Sequence, residues 1–153
     1  ARIVLLKGVE ETGFIFYTNY HSTKGEQLSE NPNAALLFFW PHLERQIRIE
    51  GKVAPLSVQQ SEAYFHSRPR GSQLGAIASD QSQVIANRSL LEQRLVSLRE
   101  KFKDKTIPKP EHWGGYQLDA HQFEYWQGRD NRLHDRFLYQ KRNNEWIIQR
   151  LAP

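Results

Sequence analysis

Cysteine is missing from all 153 residues, which excludes disulfides, thiolate metal sites, iron–sulfur clusters and cysteine nucleophiles. Methionine is missing as well, and the chain starts at Ala1 directly on an apolar run; a preceding N-terminal segment is therefore expected. No apolar run comes near the ~20 residues that cross a bilayer, and no signal-peptide pattern opens the chain. A cytoplasmic protein without a membrane partner is the expectation. The histidines His21, His42, His66, His112, His121 and His134 show no ligand spacing, so no metal is expected. A glycine-rich dinucleotide fingerprint, a phosphate loop and a serine elbow are also lacking, which leaves a hydrolase without support.

What is present is ordinary globular composition. Hydrophobic residues make up 39% and charged residues 25%, which suits one domain over residues 1–153 with its own core. The balance of 21 Lys+Arg against 17 Asp+Glu leaves +4. That favours an anionic ligand but is too weak and too evenly spread to point to nucleic acid.

Arg2–Lys7 is a near-continuous aliphatic run that predicts a strand buried on both faces. Gly8–Gly13 reads as a polar turn returning into a second strand, Phe14–Asn19. Ser22 caps a short helix that Asn31-Pro32 ends. Ala34–Trp40 and Gln46–Val53 are further strands, the latter bulged at Gly51. Ser57-Val-Gln-Gln60 and Ser89-Leu-Leu-Glu92 read as capping boxes. Arg70–Ser79 is a short helix with small residues on one side, and Leu91, Leu95, Leu98 and Phe102 mark an amphipathic one. Three strand-like runs follow Gly114-Gly115: Tyr116–Leu118, Gln122–Trp126 and Arg136–Gln140. Asn143-Asn144 then turns into Trp146–Ile148. Hairpins dominate, helices stand apart, and β-α-β alternation is absent. An α+β fold is predicted, an antiparallel β-barrel with peripheral helices.

The stretch from Trp126 to Arg136 packs an aromatic ring, three arginines and a histidine into eleven positions. It is either a charged hairpin turning at Gly128 and Asn131 or a site that stacks on a flat ring and grips an anion, as arginine can do. Cations also sit at strand ends and helix starts: Arg2, Lys7, and Lys24 in the first turn of the helix capped at Ser22, a natural phosphate position. Tyr64, Arg68, Arg70 and Ser72 form a second cluster. Each alone reads as a solvated charge. Together they suggest two phosphate sites with a flat ring between them, which fits flavin mononucleotide (FMN) and a phosphorylated substrate.

The chain also resembles the pyridoxine (pyridoxamine) 5′-phosphate oxidase family along its whole length. The resemblance rests on Arg2-Ile-Val-Leu-Leu-Lys7, Phe16-Tyr17-Thr18-Asn19, Glu44-Arg45-Gln46, the Tyr64–Arg70 stretch, Tyr125-Trp126-Gln127-Gly128, Arg132-Leu133-His134-Asp135-Arg136 and Arg150-Leu151-Ala152-Pro153. It implies an FMN-binding split β-barrel, antiparallel and Greek-key-like, forming a homodimer with FMN at the subunit interface. The implied flavin contacts are Arg2, Ile3, Val4, Leu5, Leu6 and Lys7 on the first strand, then Tyr17, Thr18, Thr23, Lys24, Gln46, Gln81, Ser82, Trp126 and Arg136. Thr23 stands where the family pattern has a basic residue. The implied substrate contacts are Lys7, Tyr64, Arg68 and Ser72 around the phosphate, with Arg132, Leu133 and His134 near the pyridine ring. Arg132 and His134 are the catalytic candidates.

The resemblance further implies oxidation of pyridoxine or pyridoxamine 5′-phosphate by O2, giving pyridoxal 5′-phosphate and H2O2. Two other readings compete. A split-barrel flavin protein with another task, such as a flavin reductase, needs Arg2, Lys24 and Gln46 but neither the Tyr64–Ser72 cluster nor Arg132–His134. A basic barrel stacking single-stranded nucleic acid on its aromatics predicts a colourless protein with salt-sensitive binding.

Overall fold

The computed structural model describes residues 1–153. Seven antiparallel strands form one sheet: β1 (Gly8–Glu10), β2 (Gly13–Asn19), β3 (Asn33–Trp40), β4 (Arg45–Pro55), β5 (Trp113–Gln127), β6 (Asp135–Arg142) and β7 (Glu145–Leu151). Four helices, α1 (Thr23–Glu30), α2 (Val58–Ser67), α3 (Arg70–Ala78) and α4 (Arg88–Lys101), stand apart from it. The α+β class and antiparallel architecture agree with the sequence reading. The sheet forks rather than closes. Along one edge β5 pairs with β4 from Tyr116 to Gln127. Its other edge is divided, with β2 along Trp113–Leu118 and β6 along Gln122–Gln127.

β5 is also where the sequence reading fell short. Tyr116–Leu118 and Gln122–Trp126 are halves of one 15-residue strand, because pairing of Asp119 and Ala120 with β4 carries the strand between them. The register with β4 shifts at Glu50/Gly51, where a Cβ on Gly51 would meet the Asp119 carbonyl oxygen at 2.1 Å. The irregularity expected at Gly51 is there, but the extra residue, His121, lies on β5 opposite it, and glycine at 51 is a packing necessity.

The first strand was expected too early. Arg2–Lys7 is not in the sheet, and Ile3 and Leu5 are exposed. Pairing begins with the Lys7 N–H donating to Ile15 O and continues through β1 against β2. The turn shrinks to Glu11-Thr12 within the expected Gly8–Gly13. Aliphatic content signalled burial, but of the run only Val4 is half-buried, packed against the sheet's core cluster.

Helix caps are local and were mostly read correctly. Ser22 accepts from the Gly25 N–H, and Ser57 with Gln60 forms the full capping box. Helix α4 differs: Asn87, not Ser89, caps it, accepting from the Leu90 N–H. Asparagine caps as well as serine, so the start moved two residues upstream. Asn143 and Asn144 both take positive φ in the final hairpin, as its two-residue turn requires.

Two clusters form the core. Phe16, Ile49, Val53, Tyr116, Leu118 and Ala120 fill the interior of the sheet. Phe65, Leu74, Ile107 and Trp113 join α2 and α3 to the start of β5. The second cluster fixes the helices against the sheet end where most of the predicted ligand residues gather.

Candidate functional site

A cavity of about 560 Å³ opens where the N-terminal segment, β2, α2 and α3 meet, within the size range of small-ligand sites. Ile3, Val4, Leu5 and Lys7 form one wall, and Tyr17, Thr18 and Lys24 the floor. Tyr64, Arg68 and Ser72 close it from the helices, and Gln81 from the segment after α3. The face of α3 toward it carries Ser72, Gly75, Ala76 and Ser79, positions that share a helix side and leave room by being small. Below lies an aromatic stack. The Tyr17 and Tyr64 rings are 3.8 Å apart at 17°, and Tyr17 lies 5.4 Å from Trp113 at 12°. Gly115 lets the strand pass beneath, since a Cβ there would sit 2.8 Å from the Tyr17 ring.

The charge is one-sided. Lys7, Lys24 and Arg68 line the cavity, and no carboxylate does. None of the ion pairs in the chain involves them. Burial, and then the nearby Arg2 charge, pull the Lys24 ammonium below its ordinary pKa. Lys24 Nζ donates to Thr18 Oγ1, which donates to Gln81 Oε1 at 3.3 Å. Lys24 also sits in the first turn of α1, where backbone N–H groups lack helical partners. Burial likewise lowers the Arg68 guanidinium, and its Nη1 is buried without a hydrogen-bond partner. Buried donors in folded proteins nearly always have partners, so this one is an unmet donor on a side chain that lines the cavity. Uncompensated cations, an orphaned donor and a flat aromatic floor fit a phosphorylated ring compound such as FMN or a pyridoxine phosphate.

The remaining candidates gather at the far end of β5. Gln46, Trp126 and Arg136 are direct neighbours across β4, β5 and β6, so they share one face. Gln46 and Trp126 line a separate cavity of about 420 Å³. The His134 ring lies 4.8 Å from Trp126, and its Nδ1 accepts from the Arg129 N–H at 3.1 Å. Arg132 and Leu133 are exposed on the turn before β6, where Asn131 and Arg132 both take positive φ. The hairpin reading and the site reading thus coincide: the turn is real and presents its cation outward.

Here the arginines are paired. Glu124, 6% exposed, accepts from Arg48 Nη2 at 2.9 Å and Arg136 Nε at 2.9 Å. Burial raises the Glu124 pKa, but those two hydrogen bonds outweigh it and the net shift is downward. Hydrogen bonds from Arg129 and Arg150 hold Asp135 below its usual range as well.

Trp113 and Trp126 lie near opposite ends of β5. At ~3.3 Å of rise per residue, on the order of 40 Å of strand separates them. One chain therefore presents the predicted site as two halves. Arg2 and Leu6 face a third, apolar cleft against β3, Thr23 is exposed outside the main cavity, and Ser82 adjoins Gln81 with φ 73°. Sequence reasoning missed Trp113 and Asn19 in the cavity wall and Glu124 beneath Arg136. The Trp113-Gly114-Gly115 run was the available signal for the first, since bare backbone after a large ring marks close packing.

Comparison with known proteins agrees with this geometry. A family model described as pyridoxamine 5′-phosphate oxidase matches residues 1–102. A second, described as the pyridoxine 5′-phosphate oxidase C-terminal dimerisation region, matches residues 113–153. The pyridoxine/pyridoxamine 5′-phosphate oxidase of Acaryochloris marina is 59% identical over all of this chain and 70% of its own length. That of Christiangramia forsetii is 56% identical over 99% of this chain and 71% of its own. Among solved structures, PhzG from Burkholderia lata 383, in complex with tetrahydrophenazine-1-carboxylic acid, superposes with a TM-score of 0.92 at 29% identity. That match covers 99% of this chain and 74% of PhzG. A pyridoxamine 5′-phosphate oxidase-related, FMN-binding protein of Nostoc punctiforme, at 17% identity and a TM-score of 0.75, shares the fold over 99% of this chain and 80% of its own. With both family models matched and relatives more than half identical over the full length, the chain belongs to the pyridoxine/pyridoxamine 5′-phosphate oxidase family.

Proposed function

We propose that this protein is an FMN-dependent oxidase that converts pyridoxine 5′-phosphate or pyridoxamine 5′-phosphate with O2 to pyridoxal 5′-phosphate and H2O2, in vitamin B6 biosynthesis and salvage. The observation that carries the reading is the cavity in which Lys7, Lys24 and Arg68 meet no carboxylate and Arg68 keeps a buried N–H unpartnered. A flavin protein without this substrate would have no use for the Tyr64, Arg68 and Ser72 side of that cavity.

FMN, when bound, supplies the acceptor for the two electrons leaving the substrate and passes them to O2. Lys24, Thr18 and the first turn of α1, with Thr23 beside it, hold the cofactor phosphate. The Arg2–Lys7 segment, Tyr17, Gln81 and Ser82 line its remaining length. Lys7, Tyr64, Arg68 and Ser72 grip the substrate phosphate, a remote anchor whose role is orientation. Arg132, Leu133 and His134 fix the pyridine ring and Gln46, Trp126 and Arg136 the flavin, from the partner chain of a homodimer with the cofactor at the interface. The two half-sites at opposite ends of β5 support this arrangement. So do exposed Leu37, Phe39 and Trp40 on β3 and Trp146, Ile147 and Ile148 on β7, surface that a second copy would cover. We take residues 1–153 as one domain. No helix is long and apolar enough to cross a membrane, and we assign the cysteine-free chain to the cytoplasm.

An absorbance spectrum tests the reading. The FMN-loaded protein should show flavin bands that bleach when pyridoxine 5′-phosphate is added without oxygen and recover in air. Bands that persist under substrate would sink the oxidase reading, and a protein that takes up no FMN would sink the cofactor with it.

A further inference from the structure

Trp113 opens β5, is 6% exposed, and lines the cationic cavity, yet it has no part among the phosphate-gripping groups above. Its ring lies where two features meet. The Arg68 guanidinium carbon is 4.5 Å from its centroid. Tyr17 and Tyr64 lie nearly parallel to it, at 5.4 and 6.3 Å. Phe65 touches both, with its ring 5.3 Å from Trp113 and 5.8 Å from the guanidinium. The tryptophan is itself held firmly. Its backbone N–H donates to Pro110 O at 3.1 Å and its backbone carbonyl accepts from Lys109 Nζ at 3.1 Å.

Arg68 is a long side chain just past the end of α2, followed by a proline. Its backbone is fixed, with its carbonyl accepting from Gln73 Nε2 at 2.8 Å. Its fork is not, for no carboxylate pairs with it and Nη1 has no partner. Something else has to stop the guanidinium from sweeping the cavity. A carboxylate would do so at the expense of function, since it would neutralise the charge and occupy the donors a phosphate needs. An aromatic face does neither. It attracts the cation through its ring quadrupole and brings no carboxylate oxygen to occupy the N–H groups.

We infer that Trp113 is a positioning residue: its indole face holds the Arg68 fork aimed at the substrate phosphate without competing for its donors. This rests on the oxidase reading above.

A double-mutant cycle on the FMN-loaded protein tests it, using pyridoxine 5′-phosphate as the probe. Trp113→Leu should raise KM about tenfold, the scale of one desolvated cation–π contact, with kcat within about twofold and the flavin spectrum intact. Trp113→Phe, which keeps a smaller face, should raise KM about threefold and serves if the leucine variant does not fold. In an Arg68→Ala background either change should move KM less than about twofold, because the group being positioned is gone. Equal KM increases with and without Arg68, or no increase in either variant, would overturn the positioning role while leaving the oxidase intact. A wild-type protein that binds FMN but neither turns over nor binds the ester would overturn the oxidase reading and this inference together.

Discussion

The two ends of β5 use the same residue types in opposite ways. At the Trp113 end, Lys7, Lys24 and Arg68 surround a cavity without a carboxylate, and Arg68 keeps a buried donor unmatched. At the Trp126 end, Arg48 and Arg136 are matched to Glu124, and Arg129 and Arg150 to Asp135. Burying a cation without a partner is costly, so the first arrangement is understandable as a place for an incoming anion. In the second, Glu124 and Asp135 fix the paired arginines in place before any ligand arrives. Pairing, more than the number of arginines, separates cations that wait for an anion from cations already held.

Removing charge from each end should sharpen the contrast. Arg68→Ala deletes the unmatched donor, and KM for the phosphorylated substrate should rise about 100-fold, ~2.7 kcal/mol, with fold and flavin retained. Steady-state kinetics beside a thermal melt checks both halves. Glu124→Gln does the reverse, taking the buried carboxylate from Arg136 and leaving Arg48 only Glu50. Because Arg48 and Arg136 are 41% and 30% exposed, water offsets part of the loss. About 2 kcal/mol, or a Tm drop of ~4–8 °C, is expected.

The same contrast should show in pH. The Glu124 carboxyl titrates below its ordinary 4.5 when folded. Its stabilisation is therefore complete above that value and lost as pH falls through the folded pKa, so Glu124→Gln should flatten the acid limb of a stability profile. Lys24 has the opposite sign: its folded pKa lies below the ordinary 10.5, so the penalty for its charge is full below the folded pKa and fades as pH rises toward 10.5. Lys24→Gln should flatten that alkaline limb and weaken FMN about tenfold in a fluorescence titration, ~1.4 kcal/mol. Thr23→Ala should be the smallest change, within about twofold in the same titration, since the residue is exposed outside the cavity.

What the sequence disclosed follows from the range of each interaction. Caps at Ser22 and Ser57, the irregularity at Gly51 and the Asn143-Asn144 turn depend on a few neighbouring residues, and all were legible. β5 was cut in two because Asp119 and His121 look like loop residues until β4 pairs with Asp119 and Ala120 and resumes at Gln122, with His121 the extra residue of the bulge. Arg2–Lys7 looked buried because apolar pattern records that a surface is to be covered without saying by what. The cavity's cations were visible as residue types, but Trp113 acts through a face contact with Arg68, 45 positions away in sequence, and no local pattern encodes that. Glu124 was hidden for a similar reason, its partners Arg48 and Arg136 arriving from two other strands.

The length of β5 has a consequence for inheritance. In the proposed homodimer each active centre would draw the Arg68 end of one chain and the Arg132 end of the other. Two impaired alleles, Arg68→Ala and Arg132→Ala, would then repair one another when co-expressed and assayed at substrate concentrations far below the KM of the Arg68→Ala enzyme. Every mixed dimer would concentrate both lesions in one centre and leave the other with wild-type groups. About a quarter of wild-type activity should return at equal expression, since half of randomly assorted dimers are mixed and each has one sound centre of two. No recovery, with mixed dimers verified by differential tagging, would mean that both ends serve a centre within a single chain.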